Sequence, residues 1–377
     1  MGCCRRCCLR LCRTRNRSCF LEYTPWPSRL TGALGVNRIR HFNEGLGGGR
    51  TMPLVTARAC AKLVQRASTR SISDPALSAP SDQRLPVAAG HRHLPMTVLE
   101  TLRESERHLR QHRVGSPGLT ARLLLADELN RSQAWLVAHS DDQVNPHRLK
   151  AYRETVAQRS EGVPTQYLRG KQEFYGLEFR VTPDVLIPRP ETEHLVEAAL
   201  ERIQPGDQVV DIGTGSGAVA VTLAKHRTDV LVAASDISVK AVRVALSNSL
   251  SLGARVNFCA GDLCDPFRSA RFDIIVSNPP YVPLRHATGL QREVRYEPSV
   301  ALYGGEHGHR FVRRIAREAP RILKPDGWLL MEIGFGSRAA VERFLDRPEW
   351  TEPQFLPDLA GIDRVVAVRR WPDGGQA

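Results

Sequence analysis

Asn278-Pro279-Pro280-Tyr281 is the run in this chain best suited to gripping a planar amino group. An asparagine side chain offers one acceptor oxygen and two donor hydrogens, and a proline carbonyl accepts with no N–H of its own to compete. Neither proline can donate to a strand ladder, and each pushes the residue before it out of the helical region. The run is therefore stiff, and its polar atoms point where the turn dictates. Tyr281 adds a flat wall for stacking. A bare Asn-Pro pair would read as a turn and no more. Here the run follows the apolar, β-branched stretch Ile274-Ile275-Val276, which places it at the carboxyl end of a buried strand, where ligands bind in open α/β sheets.

Such a grip needs a reaction partner, and Asp211-Ile212-Gly213-Thr214-Gly215-Ser216-Gly217 supplies one. Three glycines between a strand and a helix let the backbone turn tightly and come close to a ligand at a helix N-terminus. Asp236 ends the following strand, where an acidic residue commonly accepts from ribose hydroxyls. Gly213, Gly215 and Ala218 also fit a nicotinamide fingerprint. Two acids tilt the reading. Asp211 can accept from an ammonium group, which a pyrophosphate lacks, and Asp262, after the third strand, suits an adenine edge. The implied ligand is adenosine carrying an amino acid, S-adenosyl-L-methionine. Its sulfonium methyl is already activated, so the transfer requires no metal and no nucleophilic side chain. Cys259 with Cys264, and His307 with His309, read as structural pairs. The demanding task is orientation: an amide nitrogen must be held in line with the methyl–sulfur bond.

The elements that must position these groups alternate. Strands are expected at 208–212, 230–235, 255–260, 272–277 and 327–333, with helices at 193–203, 218–226, 239–252, 310–323 and 338–345. Runs at 355–359 and 363–369 close the chain as an antiparallel pair. Alternation of this kind predicts an α/β domain over 191–377, with a mostly parallel sheet covered on both faces. Before it, residues 96–162 read as four short helices that form a substrate-docking bundle. Thr97 with Glu100 forms a capping box, Ser116-Pro117 and Asn145-Pro146 are cap-plus-proline starts, and Leu99, Leu102, Arg103, Glu106 and Leu109 give a one-sided stripe. Residues 163–190 read as a β-hairpin linker centred on Gly176.

The chain has 377 residues and a formal charge of +13. That charge is concentrated at one end. Residues 1–95 hold 16 Lys and Arg against 4 Asp and Glu, whereas the remainder holds 37 against 36. The near-neutral body argues against a nucleic-acid partner. Seven of the nine cysteines also precede residue 96, and the remaining two fit a reducing compartment. No stretch has the length and apolarity of a membrane span. Residues 1–95 read as a disordered leader or a mis-assigned start at a chain whose working part begins at Met96. A mitochondrial transit peptide, with Arg58, Lys62, Arg66 and Arg70 recurring every four residues, is the alternative.

Val163–Gly170, Val185–Glu193, Asp211–Gly217, Asn278–Tyr281 and Val294–Pro298 together resemble the HemK/PrmC family of protein-(glutamine) methyltransferases, across about Met96 to Arg370. The resemblance implies a seven-stranded Rossmann-like class I methyltransferase domain preceded by a small helical bundle and a β-hairpin linker. It implies that S-adenosylmethionine contacts Gly213 to Gly217, Asp236, Leu263 and Asn278. It also implies that Asn278, Pro279, Pro280 and Tyr281 hold the glutamine of a Gly-Gly-Gln tripeptide in peptide chain release factors, the expected partners. Leu263 stands where some relatives carry Trp. A monomer acting in the cytoplasm is expected. A ribosomal-protein glutamine methyltransferase and an adenine-N6 nucleic-acid methyltransferase are the alternatives. The first usually differs at Pro188–Glu193, and the second needs a target-recognition domain.

Overall fold

Thr97 opens the first helix of the computed structural model, which describes residues 96–372; the expectations for residues 1–95 lie outside the described residues. The Thr97 hydroxyl accepts from the Glu100 amide at 3.2 Å, and the Glu100 carboxylate accepts from Thr97 N at 2.9 Å. This pair satisfies two donors at a helix start. Four helices follow: α1 (Val98–Gln111), α2 (Pro117–Leu129), α3 (Gln133–Ala138) and α4 (Pro146–Ser160). Ser132 and Asn145 cap α3 and α4 through their side chains. Ser116 does not cap α2. Its φ is 49°, in the left-handed region, so its hydroxyl is not carried over the first amides as an extended cap residue's would be.

The inward face of α1 also differs from the expected stripe. It consists of Val98, Thr101, Ser105 and Leu109, while Arg103 is exposed. Two small hydroxyl residues on that face let α1 close on α2 and α4. Ser105 hydrogen-bonds the buried Tyr152, whose own hydroxyl donates to the Ala121 carbonyl at 3.1 Å. Leu124, Leu125, Leu136, Leu149 and Val156 complete this core. A fifth helix, α5 (Thr165–Arg169), precedes the hairpin β1 (Lys171–Phe174) and β2 (Leu177–Arg180). Tyr175 and Gly176 both have positive φ, 51° and 72°, as a two-residue type I′ turn requires.

The chain then passes through a 3-10 turn at Pro190–Thr192 into α6 (Glu193–Leu200). Beyond it come β3 (Gln208–Ile212), α7 (Ala218–His226), β4 (Leu231–Asp236), α8 (Val239–Ser251), β5 (Val256–Ala260) and β6 (Phe272–Ser277). They are followed by α9 (Ser299–Leu302), α10 (Arg310–Ile322), β7 (Leu323–Glu332), α11 (Arg338–Leu345), β8 (Gln354–Pro357) and β9 (Asp363–Arg369). β7 starts four residues earlier than expected, because Leu323 already pairs with Phe272 ahead of a bulge.

The seven strands lie in the order β5-β4-β3-β6-β7-β9-β8; β9 is antiparallel to both its neighbours and the rest are parallel. Alternate residues feed opposite faces. Val209, Ile274 and Leu330 pack toward α6 and α7, whereas Val210, Ile275 and Leu329 pack toward α10 and α11. From β3 the chain winds outward through β4 and β5, then returns to lay β6 on the other flank of β3. Strand order reverses between β3 and β6, and a crevice at such a reversal is where a doubly wound sheet takes its ligand.

Candidate active site

The two half-sites named in the sequence emerge side by side at that reversal. Asp211 of β3 pairs with Val276 of β6, so the glycine loop and Asn278 leave neighbouring strands at one edge. The Ser277 hydroxyl joins them by donating to the Ile212 carbonyl at 2.7 Å.

The glycine loop is held from behind. Gly213 N and Thr214 N both donate to the Ser235 carbonyl, at 2.8 and 2.9 Å, and Gly217 N closes a turn onto Thr214. Ser216 is buried, and its carbonyl accepts from Asn248 Nδ2 at 2.8 Å. The other side of the loop is open: a Cβ at Gly213 or Gly215 would meet nothing within 4 Å. Both have positive φ, 78° and 56°, so the conformation itself favours glycine. Gly217 serves a different end, since a Cβ there would stand 3.0 Å from that of Ala245 on α8.

Three acids and Leu263 sit around this loop, with unequal roles. Asp236 faces it directly. Its Oδ2 accepts from Gly215 N at 2.9 Å and its Oδ1 from Ser238 N at 2.8 Å. Burial raises its carboxyl above the ordinary range, against those two bonds. Asp211, expected to meet an ammonium group, is only 2% exposed, and its Oδ2 accepts from the Thr214 hydroxyl at 2.6 Å. Burial pushes its carboxyl up to about 7. In this structure it braces the loop from within. Asp262, expected at an adenine edge, is engaged by Arg314, whose Nη1 reaches both carboxylate oxygens at 3.1 and 3.0 Å. Leu263 beside it is half-buried with φ 45°, a left-handed conformation that costs a branched side chain energy.

On the other half-site, Asn278 is half-buried and its Nδ2 donates to the Thr192 hydroxyl at 3.0 Å. Pro279 is buried, and among the described residues no group donates to its carbonyl. Tyr281 is tied down rather than standing as a free wall: its hydroxyl reaches Glu332 Oε1 at 3.3 Å. Its ring lies close to Gly334, where a Cβ would stand 3.1 Å from Cδ2.

Several supporting residues were not singled out from the sequence. Glu332 ends β7, is 2% exposed, and its Oε1 accepts from the Tyr281 hydroxyl at 3.3 Å, while its Oε2 is buried without a partner among the described residues. A lone carboxylate inside Leu329-Leu330-Met331-Glu332-Ile333 was the available signal. Glu297 is buried and accepts from Ile187 N at 3.1 Å and from Arg189, which locks the proline-rich segment before Thr192. Gly304 and Gly308 press on the tetrapeptide's backbone. A Cβ at Gly304 would stand 2.5 Å from the Pro280 carbonyl oxygen, and one at Gly308 2.3 Å from that of Tyr281. Arg159 of α4, itself buried, donates to Glu293 at 2.6 Å and so ties the helical bundle to the segment that follows the tetrapeptide.

Comparison with known proteins places this geometry among relatives. The profile of the PrmC N-terminal domain matches residues 100–170, and that of the methyltransferase small domain matches residues 191–293. The chain is 43% identical over 280 residues to a release factor glutamine methyltransferase of Koribacter versatilis, covering 73% of this chain and 99% of the relative. A protein of the same name from Geobacter sulfurreducens is 42% identical over 274 residues, 72% of this chain and 96% of its own. Another from Bacillus subtilis is 39% identical over 282 residues, 72% and 97%.

Proposed function

The chain belongs to the release factor glutamine methyltransferase family, and we propose that it methylates the side-chain amide nitrogen of the glutamine in the Gly-Gly-Gln motif of peptide chain release factors. The observation that carries this reading is the adjacency of the open glycine loop after β3 and Asn278 after β6, tied through Ser277 and Ile212.

S-adenosylmethionine is the cofactor, and the loop fits it. Gly213 and Gly215 leave clear space in front of the backbone. Asp236 is preset by two amides, and each of its oxygens keeps a lone pair for a ribose hydroxyl. Leu263 lies at the adenine end, and Asp211 supports Thr214. When bound, the cofactor supplies a methyl group already activated by a sulfonium. The remaining work belongs to the chain. Asn278 and the Pro279 carbonyl take the N–H groups of the substrate amide, fixing its plane. Those bonds strengthen as positive charge grows on the nitrogen, so they stabilise the transition state more than the ground state. Tyr281, anchored to Glu332, closes the pocket beside the amide.

In this reading residues 96–162 dock the release factor, residues 163–190 link them to the transferase, and the enzyme acts as a monomer without nucleic acid. It works in the cytoplasm; a mitochondrial site would rest on residues 1–95. Incubation with methyl-labelled S-adenosylmethionine, release factors and ribosomal proteins, followed by mass spectrometry, tests the assignment. Label on the glutamine of Gly-Gly-Gln is expected. Label confined to a ribosomal protein or nucleic acid would overturn it.

A further inference from the structure

Four arginines stand along one side of α10: Arg310, Arg313, Arg314 and Arg317. Arg343 of α11 and Arg347 just beyond it face them, and the six line a groove of about 610 Å³ together with Phe344. Residues 96–377 as a whole carry 37 Lys and Arg against 36 Asp and Glu, so positive charge is gathered here rather than spread. Three of the six are already engaged. Arg314 holds Asp262 and Glu318 at 3.0 and 3.1 Å, Arg347 holds Glu349 at 2.9 Å, and Arg317 lies 3.6 Å from Glu318. Arg310, Arg313 and Arg343 are exposed and, among the described residues, have no acidic partner.

This placement works against the helix that carries it. Arg310 and Arg313 lie at the start of α10, the positive end of its dipole, and the first turn holds no acid to offset them. Arg310 with Arg314, and Arg313 with Arg317, are like charges four residues apart, a spacing that destabilises a helix. Packing does not call for them either, since Val312, Ile315, Ala316 and Ala319 supply the buried face. An anion arriving from outside would offset all of these costs at once.

The groove begins beside the substrate half-site. Gly304 and Gly308, which press on the Pro280 and Tyr281 carbonyls, lie in the turn that leads into α10, and Arg310 N donates to the Gly304 carbonyl at 2.8 Å. We propose that this groove receives an acidic segment of the protein substrate while the glutamine of that substrate lies at Asn278. This rests on the reading that the substrate is a release factor. A protein whose side chain reaches the tetrapeptide brings further chain to the surface next to it. Unpaired guanidinium groups on two facing helices suit carboxylates, which each can take with two parallel N–H donors. A nucleic acid fits less well. Basic grooves that hold single strands add open aromatic rings for the bases, and Phe344, the one ring lining this groove, packs against His309 with centroids 6.0 Å apart.

The test is steady-state transfer to a release factor by the full chain across ionic strength, with KM and kcat separated. Arg310→Glu/Arg313→Glu and, on the facing helix, Arg343→Glu should each raise KM about tenfold or more, with kcat and calorimetric affinity for S-adenosylmethionine nearly unchanged. Arg310→Glu/Arg313→Glu should melt no lower than wild type, because it places acids at a helix start, so its raised KM is not unfolding. Arg310→Lys/Arg313→Lys, which keeps the charge, should bring KM back toward wild type. Wild-type KM should climb with salt, and that of Arg310→Glu/Arg313→Glu should not. Carbodiimide, which joins a lysine amine to a carboxylate, should link Arg313→Lys to an acidic residue of the release factor, located by mass spectrometry as a link absent from wild type. A KM unmoved by both reversals, or a salt response that persists in Arg310→Glu/Arg313→Glu, overturns the groove and leaves the methyltransferase reading standing. Binding of labelled single-stranded RNA that is lost on reversal, with KM for the release factor unchanged, overturns the acidic segment in favour of a nucleic acid. Absence of wild-type transfer to any release factor overturns the substrate reading, and the occupant named here with it.

Discussion

Ser277 and Ile212, the last residues of β6 and β3, are joined by one hydrogen bond, from the Ser277 hydroxyl to the Ile212 carbonyl at 2.7 Å, and both are fully buried. The bond spans the strand reversal, so it sets the spacing between the glycine loop and Asn278. Ser277→Ala would leave the Ile212 carbonyl buried without that partner. A loss of roughly 1–3 kcal/mol in stability is expected. Turnover should fall further than cofactor affinity, since the loop survives while its register against Asn278 loosens. Denaturant melts and calorimetry check this; a variant as stable and as active as wild type would contradict it.

Asp211 carries a pH prediction. Its carboxyl titrates at about 7 in the folded protein against 3.8 ordinarily. A folded-state pKa raised above the unfolded value means the native state binds more protons between those values. The stability associated with this group is thus complete below about pH 4 and is lost as pH rises through about 7, at most about 1.4 kcal/mol per unit. Asp211→Asn keeps an acceptor for the Thr214 hydroxyl and removes the titration. It should match wild type in thermal stability below about pH 4 and exceed it at pH 8. An equal difference at both would place the cause elsewhere.

Gly304 is predicted to tolerate no side chain. The Cβ of Gly304→Ala would meet the Pro280 carbonyl oxygen at 2.5 Å and that of Gly308 at 2.3 Å, and backbone cannot rotate away as a side chain can. Displacing Pro280 moves the substrate half-site and spares the glycine loop. Transfer should drop at least about tenfold, the scale of a small misplacement in a positioned site, while S-adenosylmethionine still binds. Loss of cofactor binding instead would show that the clash spreads across the sheet edge.

Much of this was legible in the residues. β3, α7, β6, α11 and β9 coincide with the spans read from periodicity and turn residues, because each is bounded by glycine, proline or a charged run. The strand reversal could be anticipated from where the two motifs fall in the alternation. What periodicity could not show was pairing at a distance. Thr192 read only as a helix start, yet its hydroxyl serves Asn278, 86 residues on. Glu297 and Arg189 lay in separate motifs, and their ion pair appears only in three dimensions. Asp262 was read at an adenine edge, and no local sign showed that Arg314, 52 residues away, also reaches its carboxylate. The inward face of α1 was misread for a related reason: Thr101 and Ser105 are buried by their size and by Tyr152, not by their hydropathy.

The central claim is that Asn278 orients the amide to be methylated, and one variant tests it most directly. Single-turnover transfer by Asn278→Ala to a release factor should fall on the order of a hundredfold or more, with calorimetric affinity for S-adenosylmethionine largely retained. Near-normal transfer by Asn278→Ala would contradict the account.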